Sequence, residues 1–180
     1  MTKIAINGFG RIGRLFFRQV FNNPAHADLE IVAVNDLTDA ENLAYLLQHD
    51  TVYWGYGKKV TTGIENGVTH LVVDGKKILL TAEKDPAQLP WAKHAIDIAV
   101  EATGFFESFA GASAHITAGA KRVVLASPAK EEDGAGGKTI LMGINEQDLK
   151  TCTVSSNASC TTNAASPVAF LMADSIGVKK

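Results

Sequence analysis

Lys3-Ile4-Ala5-Ile6-Asn7-Gly8-Phe9-Gly10-Arg11-Ile12-Gly13-Arg14 decides the fold. A short β-rich run, Lys3–Asn7, passes directly into a Gly-x-Gly-x-x-Gly turn, after which Ile12, Leu15, Phe16 and Val20 recur at helical spacing. Asn22-Asn23-Pro24 stops that helix. The next apolar run, Leu29–Asn35, is almost continuous, as a strand covered on both faces should be. Val68–Val73 and Lys76–Leu80 flank Asp74-Gly75, a pair that supplies the two positive φ angles of a tight hairpin and predicts an antiparallel insert. Strands then follow over Ile96–Glu101, Arg122–Leu125 and Thr139–Met142, with a helix through Phe109–Ala118 and a Gly-rich loop around Asp133–Gly137. Strand and helix alternate as they do in an α/β, Rossmann-type, doubly wound and mostly parallel sheet.

The glycine turn carries a chemical implication. Gly8, Gly10 and Gly13 let the backbone turn tightly and approach a pyrophosphate held at the N-terminus of the following helix, where Arg11 lies in the first turn. Such a site needs an acid after the second strand to bond a ribose 2′-hydroxyl, and Asp36 stands 23 residues beyond Gly13. Asp36 repels a 2′-phosphate, and no arginine occurs between Arg18 and Arg122 to receive one, so the pattern points to NAD and not NADP. Ligands of open α/β sheets lie beyond the carboxyl ends of strands, which adds Thr103-Gly104 and Ser127-Pro128 as candidates. Ordinary turn chemistry accounts equally well for both pairs.

Composition narrows the class. The 180 residues are 46% hydrophobic and 20% charged, as in soluble globular domains. Apolar runs are far shorter than the roughly 18 residues a membrane span needs, and no cleavable leader pattern precedes them, so a cytoplasmic protein without a membrane partner is expected. The net charge of −2, with only four arginines, gives no field for nucleic acid. Cys152 and Cys160 are read as free thiols, and no His, Cys or acidic cluster suggests a metal.

Ser155-Ser156-Asn157-Ala158-Ser159-Cys160-Thr161-Thr162-Asn163 is dense in capping residues, and Ala164, Val168, Leu171 and Met172 then recur at helical spacing. Cys160 therefore falls in a first helical turn, where free N–H groups and the positive end of the dipole favour a thiolate. Ser159 and Thr161 add hydroxyls suited to an oxyanion or phosphate. Pattern alone leaves open whether Cys160 is a nucleophile or a small buried filler. Cys152, in a strand-like stretch, is read as filler. Pro167 predicts a kink or an early start to the helix. None of His26, His49, His70, His94 or His115 has a local pattern that brings it to Cys160, and each is read as a surface or core residue.

Asn7–Arg14 and Ser156–Asn163 together resemble the phosphorylating glyceraldehyde-3-phosphate dehydrogenase family. Val34-Asn35-Asp36-Leu37, Thr81–Pro86, Glu101–Phe106 and Pro128-Ala129-Lys130 stand in the order of that family. The resemblance implies NAD as cofactor and Cys160 as the catalytic nucleophile. Its thiolate would attack a phosphorylated aldehyde, the adduct would lose hydride, and inorganic phosphate would release the acyl group as an acyl phosphate. It further implies cofactor contacts from Gly8, Phe9, Gly10, Arg11, Ile12, Gly13, Asp36, Leu37, Lys84, Thr103, Gly104, Ala126 and Ser127, and a phosphate site at Ser159 and Thr161. Three positions depart from the family: Ala164 replaces a usual second cysteine, Ala126-Ser127-Pro128 replaces Ser-Ala-Pro, and Leu79 replaces a frequent arginine. The family continues for about as many residues again, with a histidine base, a substrate-phosphate arginine, most of a tetramer interface and a C-terminal helix. The expectation is thus a Rossmann domain over residues 1–150 and the start of a catalytic domain over 151–180, a chain that by itself turns over slowly or not at all. Erythrose-4-phosphate dehydrogenase shares these motifs, and a stand-alone NAD-binding module or a semialdehyde dehydrogenase is the competing reading.

Overall fold

A computed structural model describes residues 1–178; Lys179 and Lys180, the end of the expected second unit, lie outside the described residues. β1 (Thr2–Asn7), α1 (Arg11–Asn22), β2 (Leu29–Asn35) and α2 (Ala40–Gln48) come first. The antiparallel strands β3 (Val60–Glu65), β4 (Val68–Val73) and β5 (Lys76–Thr81) follow. Then come α3 (Trp91–His94), β6 (Ile98–Glu101), α4 (Phe109–Ala112), α5 (Ala114–Thr117), β7 (Arg122–Leu125), β8 (Lys138–Thr139), β9 (Val154–Ser156) and α6 (Cys160–Ser175). Among the described residues these strands form one sheet in the order β3-β4-β5-β2-β1-β6-β7-β9-β8. From β5 to β8 every pairing is parallel. The chain passes from β1 to β2, crosses to the outer edge at β3, comes back through β4 to β5 beside β2, and then moves to the other side of β1 with β6, so the topological switch lies between β1 and β6.

Strand alternation sorts the core into two layers. Ile4, Ile6, Ile31 and Val34 face Phe17, Leu43 and Leu47 on one side of the sheet. Ala5, Ala33 and Ala99 face the other way, and their small side chains make room for Trp91, which is wholly buried among them. The stripe on α1 matches the expected one at Phe16 and Val20, which pack on the core, but differs in its first turn and at Phe17. Gly13, Phe17 and Val20 point inward while Ile12 is 55% exposed. The cause is Gly13: a Cβ there would lie 2.2 Å from the Gly8 carbonyl oxygen, so the first turn sits directly on the end of β1 and fixes the helix's rotation.

Other segments differ from the sequence expectation for local reasons. Asp74-Gly75 makes the expected hairpin, but Asn66-Gly67, with φ of 50° and 77°, makes a second one that adds β3. The helix expected over Phe109–Ala118 breaks at Ser113, whose hydroxyl donates to the Phe109 carbonyl at 2.7 Å. The strand expected over Thr139–Met142 shortens to β8, because Asn145 accepts from the Leu141 N–H and donates to the Thr139 carbonyl. The strand expected from Ile96 begins at Ile98, since the Ile96 N–H closes α3 by bonding the Trp91 carbonyl. β9 lies beyond the expected boundary at Lys150 yet is paired inside the sheet with β7 and β8.

Replacing Gly13 by Ala is expected to cost about 2 kcal/mol or more by overpacking against Gly8, whereas Gly10→Ala, with nothing within 4 Å of the new Cβ, should stay within about 0.5 kcal/mol. Equilibrium urea unfolding of the two variants checks this; equal losses contradict it.

Candidate functional site

At the carboxyl ends of β1, β2, β5 and β6 the sheet opens into a cleft of about 500 Å³. Its walls include Gly8, Gly10, Asp36, Leu37, Lys84 and Thr103, six of the residues singled out from sequence, together with Asn7, Asn35, Glu83, Ala102, Phe105 and Phe106. The Asp36 carboxylate accepts from the Phe9 N–H at 2.7 Å and the Thr38 N–H at 2.9 Å, which locks the acid against the glycine turn. Arg14 donates to the Phe9 carbonyl at 2.8 Å, and burial pulls its guanidinium below the usual value while Asp50 opposes the shift. A positive charge thus underlies the turn.

The remaining expected contacts are placed as follows. The Phe9 side chain points away from the cleft into the core, edge-on to Phe17 at 5.6 Å. Arg11 and Ile12 are exposed in the first turn of α1, and Gly13 is buried beneath Gly8. Gly104 follows Thr103 with φ of 71°. Ala126 and Ser127 extend β7 outside the cleft lining, tied to neighbouring strands by the Ala126 N–H to the Glu101 carbonyl at 2.9 Å and by the Ser156 hydroxyl to the Ser127 carbonyl at 2.7 Å.

Two observations bear on what the cleft can hold. No side chain caps α1, whose first-turn N–H groups face an N-cap glycine, and nothing occupies the space a side chain at Gly10 would fill. Packing within the protein therefore does not require glycine at position 10, and the helix N-terminus is left open to the cleft. Beneath the cleft, sequence reasoning missed a buried polar layer. Asn7 and Asn35, each the last residue of a parallel strand, join Glu101 and His115, all of them at most 4% exposed. The available signal was the repetition of Asn at two strand ends directly before the cleft loops.

Cys160 is exposed and is the first residue of α6. The N-cap is Ser159, whose hydroxyl accepts from the Thr162 N–H at 3.0 Å and lies within hydrogen-bond distance of the Thr161 and Thr162 hydroxyls, at 2.9 and 2.7 Å. Asn163 steadies the approach to the helix by donating to the carbonyls of Asn157 and Ser159. Ala158, at φ of 58°, makes the turn from β9. α6 runs on through Pro167 to Ser175 with no buried residue. Cys152 is half-buried, and burial raises its thiol pKa. Among the described residues no helix is long and apolar enough to cross a membrane, and no group of three or more His, Cys, Asp or Glu could hold a metal ion.

Residues 2–109 match the family described as glyceraldehyde 3-phosphate dehydrogenase, NAD binding domain. The chain is 49% identical to glyceraldehyde-3-phosphate dehydrogenase 1 of Bacillus subtilis (strain 168), over 99% of its own length and 51% of that protein's. It is 48% identical to the glyceraldehyde-3-phosphate dehydrogenase of Priestia megaterium, over 99% and 51% of the two chains, and 47% identical to that of Geobacillus stearothermophilus, over 98% and 50%. The chain spans about half the length of the curated relatives it matches.

Iodoacetate should alkylate Cys160 at least about tenfold faster than Cys152, since one thiol is exposed at a helix N-terminus and the other is held protonated by burial. Peptide mass mapping of a time course decides it, and equal rates would remove the case for a poised sulfur.

Proposed function

The chain belongs to the glyceraldehyde 3-phosphate dehydrogenase family, and on that footing we propose that it is the NAD-binding half of a phosphorylating aldehyde dehydrogenase with Cys160 as nucleophile. The observation that carries the reading is that the dinucleotide cleft and the N-terminus of α6 open on the same carboxyl edge of one sheet, three strand positions apart. At about 4.8 Å per strand, β1 and β9 are separated by about 14 Å. A dinucleotide with its pyrophosphate on α1 would run one nucleoside toward β2 and β5 and the other toward β6, β7 and the sulfur.

Each residue then has a task. Gly10 and the open first turn of α1 seat the pyrophosphate, with Arg11 and Arg14 nearby. Asp36 keeps lone pairs for the ribose hydroxyls and excludes a 2′-phosphate. Leu37, Phe105 and Phe106 offer apolar surface to a planar ring. When bound, NAD supplies the hydride acceptor. The Cys160 sulfur adds to the aldehyde carbon of a substrate such as glyceraldehyde 3-phosphate. With loss of hydride and of the hydroxyl proton the adduct becomes a thioester, and inorganic phosphate displaces the sulfur to give an acyl phosphate. Ser159 and Thr161, whose hydroxyls cluster at the same helix N-terminus, would hold the attacking phosphate.

We place the boundary between the cofactor unit and the catalytic unit after β9, since the sheet ends its pairing at Ser156 and α6 leaves it. The exposed Val168, Phe170, Leu171 and Met172 support the reading that α6 is covered by further protein in the assembled homo-oligomer. The unpaired Cys152 and Cys160 support a cytoplasmic setting.

Calorimetric titration should show NAD binding to this chain and much weaker binding of NADP. Asp36→Ala should weaken NAD by about tenfold and narrow the gap to NADP, as the loss of a charge-assisted contact requires. Absence of NAD binding at millimolar concentration, or equal binding of NADP, overturns the reading.

A further inference from the structure

The polar layer under the cleft has only one arrangement of donors and acceptors, and both of its ends fix it. At one end the Trp91 indole N–H, which can only donate, reaches His115 Nδ1 at 2.9 Å. The ring proton of His115 therefore sits on Nε2, which faces Glu101 Oε2 at 2.9 Å. At the other end the Glu83 backbone N–H, which likewise can only donate, reaches Asn35 Oδ1 at 2.8 Å, where the Thr81 hydroxyl also donates at 2.8 Å. Asn35 must then turn its NH₂ toward the Glu83 carbonyl at 2.9 Å and Asn7 Oδ1 at 2.7 Å. Asn7 in turn directs its own NH₂ at Glu101 Oε2, at 2.6 Å. The Thr103 backbone N–H donates to Glu101 Oε1 at 2.8 Å, and the Thr103 hydroxyl bonds the same oxygen.

Four donors from three directions thus converge on two oxygens at position 101. A glutamate offers an acceptor oxygen at both positions, which a glutamine cannot. A glutamine of the same shape sets its NH₂ either against Thr103 or against Asn7 and His115, and no flip relieves the conflict. Reversing Asn7 would force Asn35 to reverse and would orphan the Glu83 N–H. The members of this chain are also the residues that immediately precede or form the cleft loops: Asn7 before Gly8, Asn35 before Asp36, Glu83 before Lys84, and Thr103 itself. They come from the ends of four different strands.

We propose that Glu101, held by His115, is a positioning residue that sets the spacing of the four loops receiving the dinucleotide. The proposal rests on the NAD-binding reading above and deepens it. Neither residue reaches the cleft lining; they act through Asn7, Asn35 and Thr103. A packing role alone makes a different demand, namely volume without polarity, and the variants below separate the two.

The test uses the 180-residue chain with NAD as the probe. Glu101→Gln is expected to raise the Kd for NAD by about tenfold or more and to move the backbone amide resonances of Glu83 and Thr103. His115→Gln keeps an acceptor for Trp91 and a donor for Glu101 and should bind NAD within about threefold of the unaltered chain. His115→Leu, of similar bulk, should weaken binding as Glu101→Gln does. Equal affinities for His115→Gln and His115→Leu, or an unchanged Kd in a folded Glu101→Gln chain, overturn the proposal. Should these variants fail to fold, long-range ¹H–¹⁵N correlations on the unaltered chain still decide it: a proton on Nε2 of His115 supports the arrangement, and a proton on Nδ1 overturns it. An unaltered chain that ignores NAD defeats the underlying reading instead, an outcome seen before any variant is made.

Discussion

The Gly8 carbonyl occupies the place where any side chain at position 13 would have to go, and this single close approach governs the cofactor end of the molecule. It seats α1 on the carboxyl end of β1 after a turn of only Gly8, Phe9 and Gly10. The helix N-terminus then faces the switch between β1 and β6, where the diverging crossovers leave the sheet edge uncovered. It also fixes the rotation of α1, so that Phe17 packs on the sheet and Ile12 points outward. Arg18, one residue along, is buried and forms no ion pair among the described residues. Its guanidinium donates to the carbonyls of Leu47 and Trp54 and lies 4.9 Å from the Tyr56 ring centre, pinning the loop that follows α2 against the same helix.

Under the turn, the protein accepts an energetic burden that most cores avoid. A carboxylate that is almost fully buried costs several kcal/mol unless its lone pairs are filled, and Glu101 fills them with donors from three parts of the chain. The result is a floor that is stiff because any one rotation leaves a buried group unsatisfied. That stiffness is directional. The donors of Asn7, Thr103 and His115 turn inward to Glu101, whereas the N–H groups of the first turn of α1 remain outward and uncapped. One surface of the cleft is thereby saturated and the other left available to an anion.

How much of this was legible in the sequence depends on the range of the cause. The glycine turn, the acid after β2 and the capping run before Cys160 are local, and each could be read because its reason lies within a few residues. In the α1 stripe, Phe16 and Val20 were legible, but the exposure of Ile12 and the burial of Phe17 were not, because helical spacing cannot register a contact between Gly13 and a carbonyl five residues earlier. The Ser113 break and the Asn145 turn arise from single side chains competing for backbone groups, which periodicity averages away. β3 went unread although Asn66-Gly67 was in plain view, since Val60–Glu65 contains Gly63 and three polar residues and lacks clear alternation. His115 could only be left as a surface or core residue, because its partners Trp91 and Glu101 are 24 and 14 positions away.

The insertion of β9 between β7 and β8 ties the two chemical ends together. Without β9 the segment before Cys160 would be a tether, free to carry the sulfur over a wide arc. Pairing of Val123 with Val154 and of Leu125 with Ser156 removes that freedom, and the Ser156 hydroxyl extends the constraint by donating to the Ser127 carbonyl and accepting from the Ala158 N–H. The sulfur is then referenced to the same rigid sheet as the cofactor cleft. Two helix N-termini face outward on one edge, at a separation set by strand spacing. A shared β-sheet is a sounder frame for holding two such helix N-termini at a fixed separation than a flexible connection between two domains.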